Sequence, residues 1–282
     1  MFDSHPPSLT QIKLAHQERI EYERFLILNT YFFRPISFPL TWICIRLKLS
    51  TEFISYLSGL AGLVGLVLLP SRQILISITG IGFLMLYNLL DCIDGDIARV
   101  TNTKNPYGKF LDSIAGDTLN FGFFIAVGIM AYRNQGLLTF SSVFGWSPTT
   151  WLLVAVLTQF LFTLQDHYAS VFYSQMGDVW FKAIAANGKA TNNTPSIKNK
   201  KSPSSLLVSI IRNIDHNIYV FETQYLLLLI TFLSQTVDLY LCFSFSYYFI
   251  HTILKLILYI RRARYIKSVG VSQWASGRRE DL

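Results

Sequence analysis

Long apolar runs separated by short polar breaks dominate the chain, and their spacing predicts helices that cross a membrane. The runs cover 51–70, 73–99, 108–132, 150–174, 218–236 and 238–260, each near the roughly 20 residues that span a hydrocarbon core. Ser50 and Thr51 are candidate N-caps for the first run, and Pro70-Ser71-Arg72 breaks it from the second. Asn105-Pro106 separates the second from the third, and the Gly- and Ser-rich stretch from Gly136 to Pro148 turns the chain into the fourth. Upstream, Ser8 to Asn29 mixes Lys13, Glu18, Arg19, Glu21, Glu23 and Arg24 with Leu9, Ile12, Ile20 and Phe25, which predicts a polar helix outside the bilayer. From Arg34 to Leu49, Leu40, Ile43 and Leu47 recur at helical spacing while Arg46 and Lys48 stay polar. Such a helix would lie in the interface and lead into the first span.

The expected fold is therefore an all-α integral membrane protein, with six transmembrane helices preceded by an amphipathic interfacial helix. Residues 1–49 form the N-terminal interfacial part, 50–265 the six-helix membrane domain and 266–282 a C-terminal tail. A basic linker poor in apolar residues occupies about 186–205.

Composition supports this division. Of 282 residues, 51% are hydrophobic and 15% charged, and the mean hydropathy is +0.38; a soluble domain carries about a quarter charged residues. The net charge of +7 does not argue for nucleic acid, because its distribution follows membrane topology. Arg46 and Lys48, then Arg99, Lys104 and Lys109, then Lys182 to Lys201, then Arg261, Arg262, Arg264 and Lys267 all fall on one side. The other side has Arg72 and Arg133. The positive-inside tendency puts both termini in the cytoplasm, and a bacterial inner membrane is the expected location. The sequon Asn192-Asn193-Thr194 then falls on the cytoplasmic side. The N-terminus lacks the short apolar core and cleavage site of a signal peptide. The three cysteines, Cys44, Cys92 and Cys242, have no metal-ligand or disulfide spacing.

The chemistry is concentrated where the second run ends in LLDCIDGDIAR and the third begins YGKFLDSIAGD. A charge at the centre of a spanning helix costs about 2.5–3.5 kcal/mol, so several acids together need compensation. Asp91 and Asp94 are i, i+3 neighbours on one helical face. Gly95 removes a side chain beside Asp94, and small Ala98 lies on the same face. Asp112 opens the facing helix on the same side. Three carboxylates from two adjacent helices can surround hard divalent cations, and such cations orient and polarise a diphosphate. Pairing with Arg99, Lys104 or Lys109 at the interface would also compensate the acids, but leaves the small residues unexplained.

These residues resemble the signature of the CDP-alcohol phosphotransferases, D-x2-D-G-x2-A-R-x8-G-x3-D-x3-D. Asp91, Asp94, Gly95, Ala98, Arg99, Gly108 and Asp112 fall at matching positions without a gap. The resemblance implies that Asp91, Asp94 and Asp112 hold Mg²⁺ or Mn²⁺, as two ions, and that Gly95, Ala98, Arg99 and Gly108 line the site of the CDP moiety. An acceptor hydroxyl would attack the β-phosphorus and CMP would leave. The implied partners are a CDP-alcohol donor such as CDP-diacylglycerol, an alcohol acceptor and membrane lipid, and a homodimer is one assembly open to it. The product would be a phospholipid or a related molecule.

One position departs from the signature. The family's fourth aspartate, its general base, corresponds to residue 116, where this chain has Gly116 followed by Asp117. On a regular helix residue 116 lies about 40° around from Asp112, and Asp117 about 140°. A π-bulge at Gly116 would bring Asp117 to the site as the displaced base; otherwise another group serves, or the chain binds nucleotide without turnover. Gln165, Asp166 and His167, with Glu222 and Gln224, either shape an acceptor pocket or bond across helices, and His251 is read as a packed residue. An ion-coupled transporter is the rival from another class, but its acids should recur in several spans with broken helices. Here they cluster at one end of two.

Overall fold

A computed structural model describes residues 7–23, 25–191 and 203–277. Among them the regular elements are helical, apart from one isolated bridge between Leu138 and Thr236. Two compact units result: Met1–Val156 with Ser202–Leu241, and Leu157–Lys201 with Cys242–Leu282.

The first unit begins with α1 (Leu9–Ala15) and α2 (Gln17–Glu23), a π-helical turn at Asn29–Phe33, and α3 (Arg34–Arg46). It continues with α4 (Thr51–Leu68), α5 (Ile74–Val100), α6 (Pro106–Arg133), α7 (Thr139–Phe144) and the first part of α8 (Pro148–Thr191). After α9 (Pro203–Tyr219) and α10 (Phe221–Leu233) comes the start of α11 (Val237–Gly277). Of the two candidate N-caps for α4, Ser50 is the one that serves. Ser50 Oγ accepts from Phe53 N at 3.1 Å to start α4, and Asn105 Oδ1 accepts from Gly108 N at 2.7 Å, with Pro106 in the first turn of α6. Asn102 turns the chain out of α5 at φ 52°, a left-handed conformation that asparagine tolerates. This short loop reverses the chain, so the acidic end of α5 faces the beginning of α6.

α4 packs between them through small residues, as membrane helices do where no hydrophobic force separates lipid from protein. A Cβ at Gly65 would lie 2.8 Å from the Gly80 carbonyl oxygen, and one at Gly80 would lie 2.7 Å from Leu69 N. Backbone meets backbone there, so nothing can rotate aside. Gly80→Ala is expected to lower stability by about 1–3 kcal/mol, read as a lower melting temperature in detergent. An unchanged melting temperature would show that α4 and α5 separate freely.

Two expectations change. The polar N-terminal helix expected over Ser8 to Asn29 is interrupted at His16, and its second part ends at Glu23; both residues are buried among partners described below. Among the described residues, five helices are long and apolar enough to cross a membrane: α4, α5, α6, Pro148–Gly177 and Val237–Lys267. The run expected at 218–236 is instead the 13-residue α10, about 20 Å long against a core of about 30 Å. Val220, extended at ψ 143°, separates it from α9. Most of the linker expected at 186–205 and the last residues of the tail lie outside the described residues, as does the sequon; α8 is helical to Thr191 and α11 to Gly277.

In the second unit, α8 and α11 lie side by side. Phe162 meets Tyr248 edge-on at 5.3 Å, Thr252 Oγ1 donates to the Leu161 carbonyl at 3.1 Å, and His251 Nδ1 lies 2.6 Å from Gln165 Oε1. Asp166 and Lys255 are 4.0 Å apart. Gln165 and His251 thus bond across helices.

Candidate active site

Helical periodicity and the short α5–α6 loop bring the three expected metal ligands together. Asp91, Asp94 and Asp112 each offer a carboxylate oxygen, and the three oxygens lie within 4.8 Å of one another. Asp94 is buried, and its Oδ2 accepts from Ser55 Oγ of α4 at 2.7 Å. That serine fixes the carboxylate without neutralising it. Three close acids repel one another unless a cation or protons intervene, and three hard oxygen donors are the chemistry that divalent Mg²⁺ or Mn²⁺ accepts.

Arg99 does not extend into open space. Its guanidinium folds back over Gly95, where a Cβ would sit 3.2 Å from Nη1 and Nη2, and Nη2 donates to Asp96 Oδ1 at 2.6 Å. Gly95 therefore makes room for Arg99. Arg99 Nε is buried without a hydrogen-bond partner, a donor suited to an anionic oxygen. Ala98 and Gly108 are half-buried, the latter within the first turn of α6.

Asp117 is exposed, outside the group of three carboxylates. α6 runs as one α-helix from Pro106 to Arg133. The π-bulge that would carry Asp117 round to the face of Asp112 is absent, and the regular 100° step per residue keeps it off that face. The face itself carries Gly116, opposite the hydroxyl of Tyr87.

Sequence reasoning missed the residue beneath this site. Asp96, only 1% exposed, is the hub of a buried ionic network. Its Oδ2 accepts from Arg34 Nη1 at 3.2 Å and from Ser37 Oγ at 3.3 Å, and its Oδ1 lies 3.4 Å from His16 Nδ1. Arg34 in turn grips Glu23 with two parallel bonds, Nε to Oε2 at 2.8 Å and Nη2 to Oε1 at 2.7 Å, and His16 Nε2 is 3.2 Å from Glu23 Oε2. Burial opposes charge on both His16 and Glu23, but the pairings win: the two carboxylates raise His16, while His16 and Arg34 hold Glu23 down to about 2. The signal was present in the sequence only as a further acid, Asp96, in the same span, which needs cationic partners as the others do.

Residues 49–193 match a family model described as CDP-alcohol phosphatidyltransferase. No curated protein matches the chain. All seven motif positions lie inside the matched segment.

Proposed function

The chain belongs to the CDP-alcohol phosphatidyltransferase family, and on that premise we propose that Asp91, Asp94 and Asp112 form a metal-dependent site transferring a phospho-alcohol group from a CDP-alcohol to an acceptor hydroxyl. Membership makes it a transferase of lipid biosynthesis, and its apolar helices make it a multi-pass membrane protein. The observation that carries the finer reading is the convergence of three carboxylate oxygens from α5 and α6 within 4.8 Å. Mg²⁺ or Mn²⁺ held there would polarise the diphosphate and stabilise charge on its oxygens. Ser55 orients Asp94, and Arg99 presents its spare Nε to a phosphoryl oxygen. Gly95, Ala98 and Gly108 leave space for the cytidine side of the donor. The acceptor oxygen bonds to the β-phosphorus, the bond to the bridging oxygen breaks, its electron pair leaves on CMP, and the acceptor proton passes to water. The site and both termini face the cytoplasm in this reading, as the distribution of basic residues supports.

Purified protein given radiolabelled CDP-diacylglycerol and a panel of alcohols is expected to release CMP with Mg²⁺ or Mn²⁺, and to stop when EDTA removes them. A second reading, a relative that binds nucleotide without turnover, draws on the single observation of Gly116 in place of an acid. Tight binding of CDP-diacylglycerol with no CMP from any acceptor would select it.

A further inference from the structure

Gly116 leaves room on the face of α6 that carries Asp112, and a hydroxyl from α5 stands at that room. A Cβ at residue 116 would lie 3.5 Å from Tyr87 Oη. Tyr87 precedes Asp91 by four residues, and Gly116 follows Asp112 by four. Each step is about one helical turn along the same face. In antiparallel helices, the Asp91–Asp112 pair and the Tyr87–Gly116 pair are therefore successive layers of one seam. Asp91, Asp94, Asp112 and, from α10, Glu222 all lie within electrostatic reach of that hydroxyl. Further along α6, Phe123 meets Phe221 at 5.4 Å and Tyr225 at 5.1 Å on the α10 side.

We infer that Tyr87 receives the acceptor alcohol, its phenolic oxygen taking the hydrogen bond of the attacking hydroxyl in the space that Gly116 leaves open. A phenol both donates and accepts, so it can hold an alcohol oxygen with a lone pair turned towards the phosphorus. It also adds no charge to a layer next to three carboxylates, where a fourth acid would repel the others. An alanine at 116 would sit in ordinary contact with the phenol, whereas a longer acid would have to share its space. The inference rests on the transferase reading above and identifies the side of the site from which its acceptor attacks.

The test compares full-length wild type with Tyr87→Phe in detergent micelles, using CDP-diacylglycerol with glycerol 3-phosphate or inositol, whichever the wild type uses. Tyr87→Phe is expected to lower kcat/KM for the acceptor at least about tenfold, the worth of one hydrogen bond in the attacking complex. KM for the donor and affinity for Mn²⁺, followed by electron paramagnetic resonance, should stay within about twofold. Adding Gly116→Asp to Tyr87→Phe should recover part of the lost rate. Wild-type acceptor kinetics in Tyr87→Phe would overturn the inference alone, most pointedly if Asp117→Asn abolished turnover. A fall in Mn²⁺ affinity matching the fall in rate would also overturn it, by showing a structural role. A wild type that binds donor and Mn²⁺ but releases no CMP would remove the transferase reading, and the inference with it.

Discussion

Asp94→Asn is expected to reduce CMP release by at least about a thousandfold, or roughly 4 kcal/mol in transition-state free energy. Asparagine keeps the size of the side chain and an oxygen to accept the Ser55 bond, which is 2.7 Å in the native protein. What disappears is one negative charge facing a cation and a diphosphate, whose charge is greatest during transfer. Affinity for Mn²⁺ should fall in parallel, as should that of Asp91→Asn, its neighbour in the same group. Stability should move the other way. Three carboxylates within 4.8 Å repel one another in a metal-free, poorly solvated site, so neutralising one relieves the fold. The metal-free variant should therefore melt above the metal-free wild type. An inactive variant that also melted lower would point to lost structure and would sink the assignment of Asp94 as a ligand.

The second large effect is expected at Arg34, outside the metal site. Arg34→Met removes the guanidinium that Glu23 and Asp96, both buried, share, leaving His16 between them and Arg99 on Asp96. Breaking a buried ion pair from one side costs about 3–5 kcal/mol, whereas replacing the whole group with apolar residues costs far less. Arg34→Met should thus lower the melting temperature sharply and open the segment before α3 to protease. Combining it with Glu23→Gln and Asp96→Asn should restore part of the loss; no restoration would show that packing, not charge, is what Arg34 supplies.

The network also has a pH window. Glu23 is held at about 2 against an ordinary 4.5, so its contribution is complete above 4.5 and is lost as pH falls through about 2. His16 is raised above its ordinary 6.5, so its contribution is complete below 6.5 and fades as pH climbs through the raised value. Docking of α1 and α2 should be firmest between those two ordinary values, with protease sensitivity increasing above the upper one. A flat profile from pH 5 to 9 would show that His16 stays in one state.

Much of the architecture was legible because membrane helices advertise themselves by length and by their breaks. Ser50, Asn105 and Pro106 act at the termini where capping rules place them. The convergence of Asp91, Asp94 and Asp112 was legible because i, i+3 spacing on α5 and a short connection to α6 leave little freedom. α10 was overestimated, because an apolar run says nothing about where Val220 will break it. The N-terminal network was illegible for another reason. Glu23 and Arg34 look like ordinary solvated charges until α5 presents Asp96 to them, and that meeting spans 62 residues of sequence between Arg34 and Asp96. The place of Asp117 depended on whether α6 would distort, which a lone glycine permits but does not compel.

The ionic hub bears on where this domain starts. The family match opens at residue 49, yet Asp96 is held by His16, Arg34 and Ser37, all upstream of it. A protein trimmed to the match would keep every motif residue and still strand a carboxylate two positions from Asp94 without Arg34 and His16, leaving it Arg99 alone. A piece trimmed to the segment by which the family is recognised is therefore expected to be less stable around this site than one that keeps the upstream helices. Loss of activity on trimming would report an orphaned charge before it reported anything about catalysis.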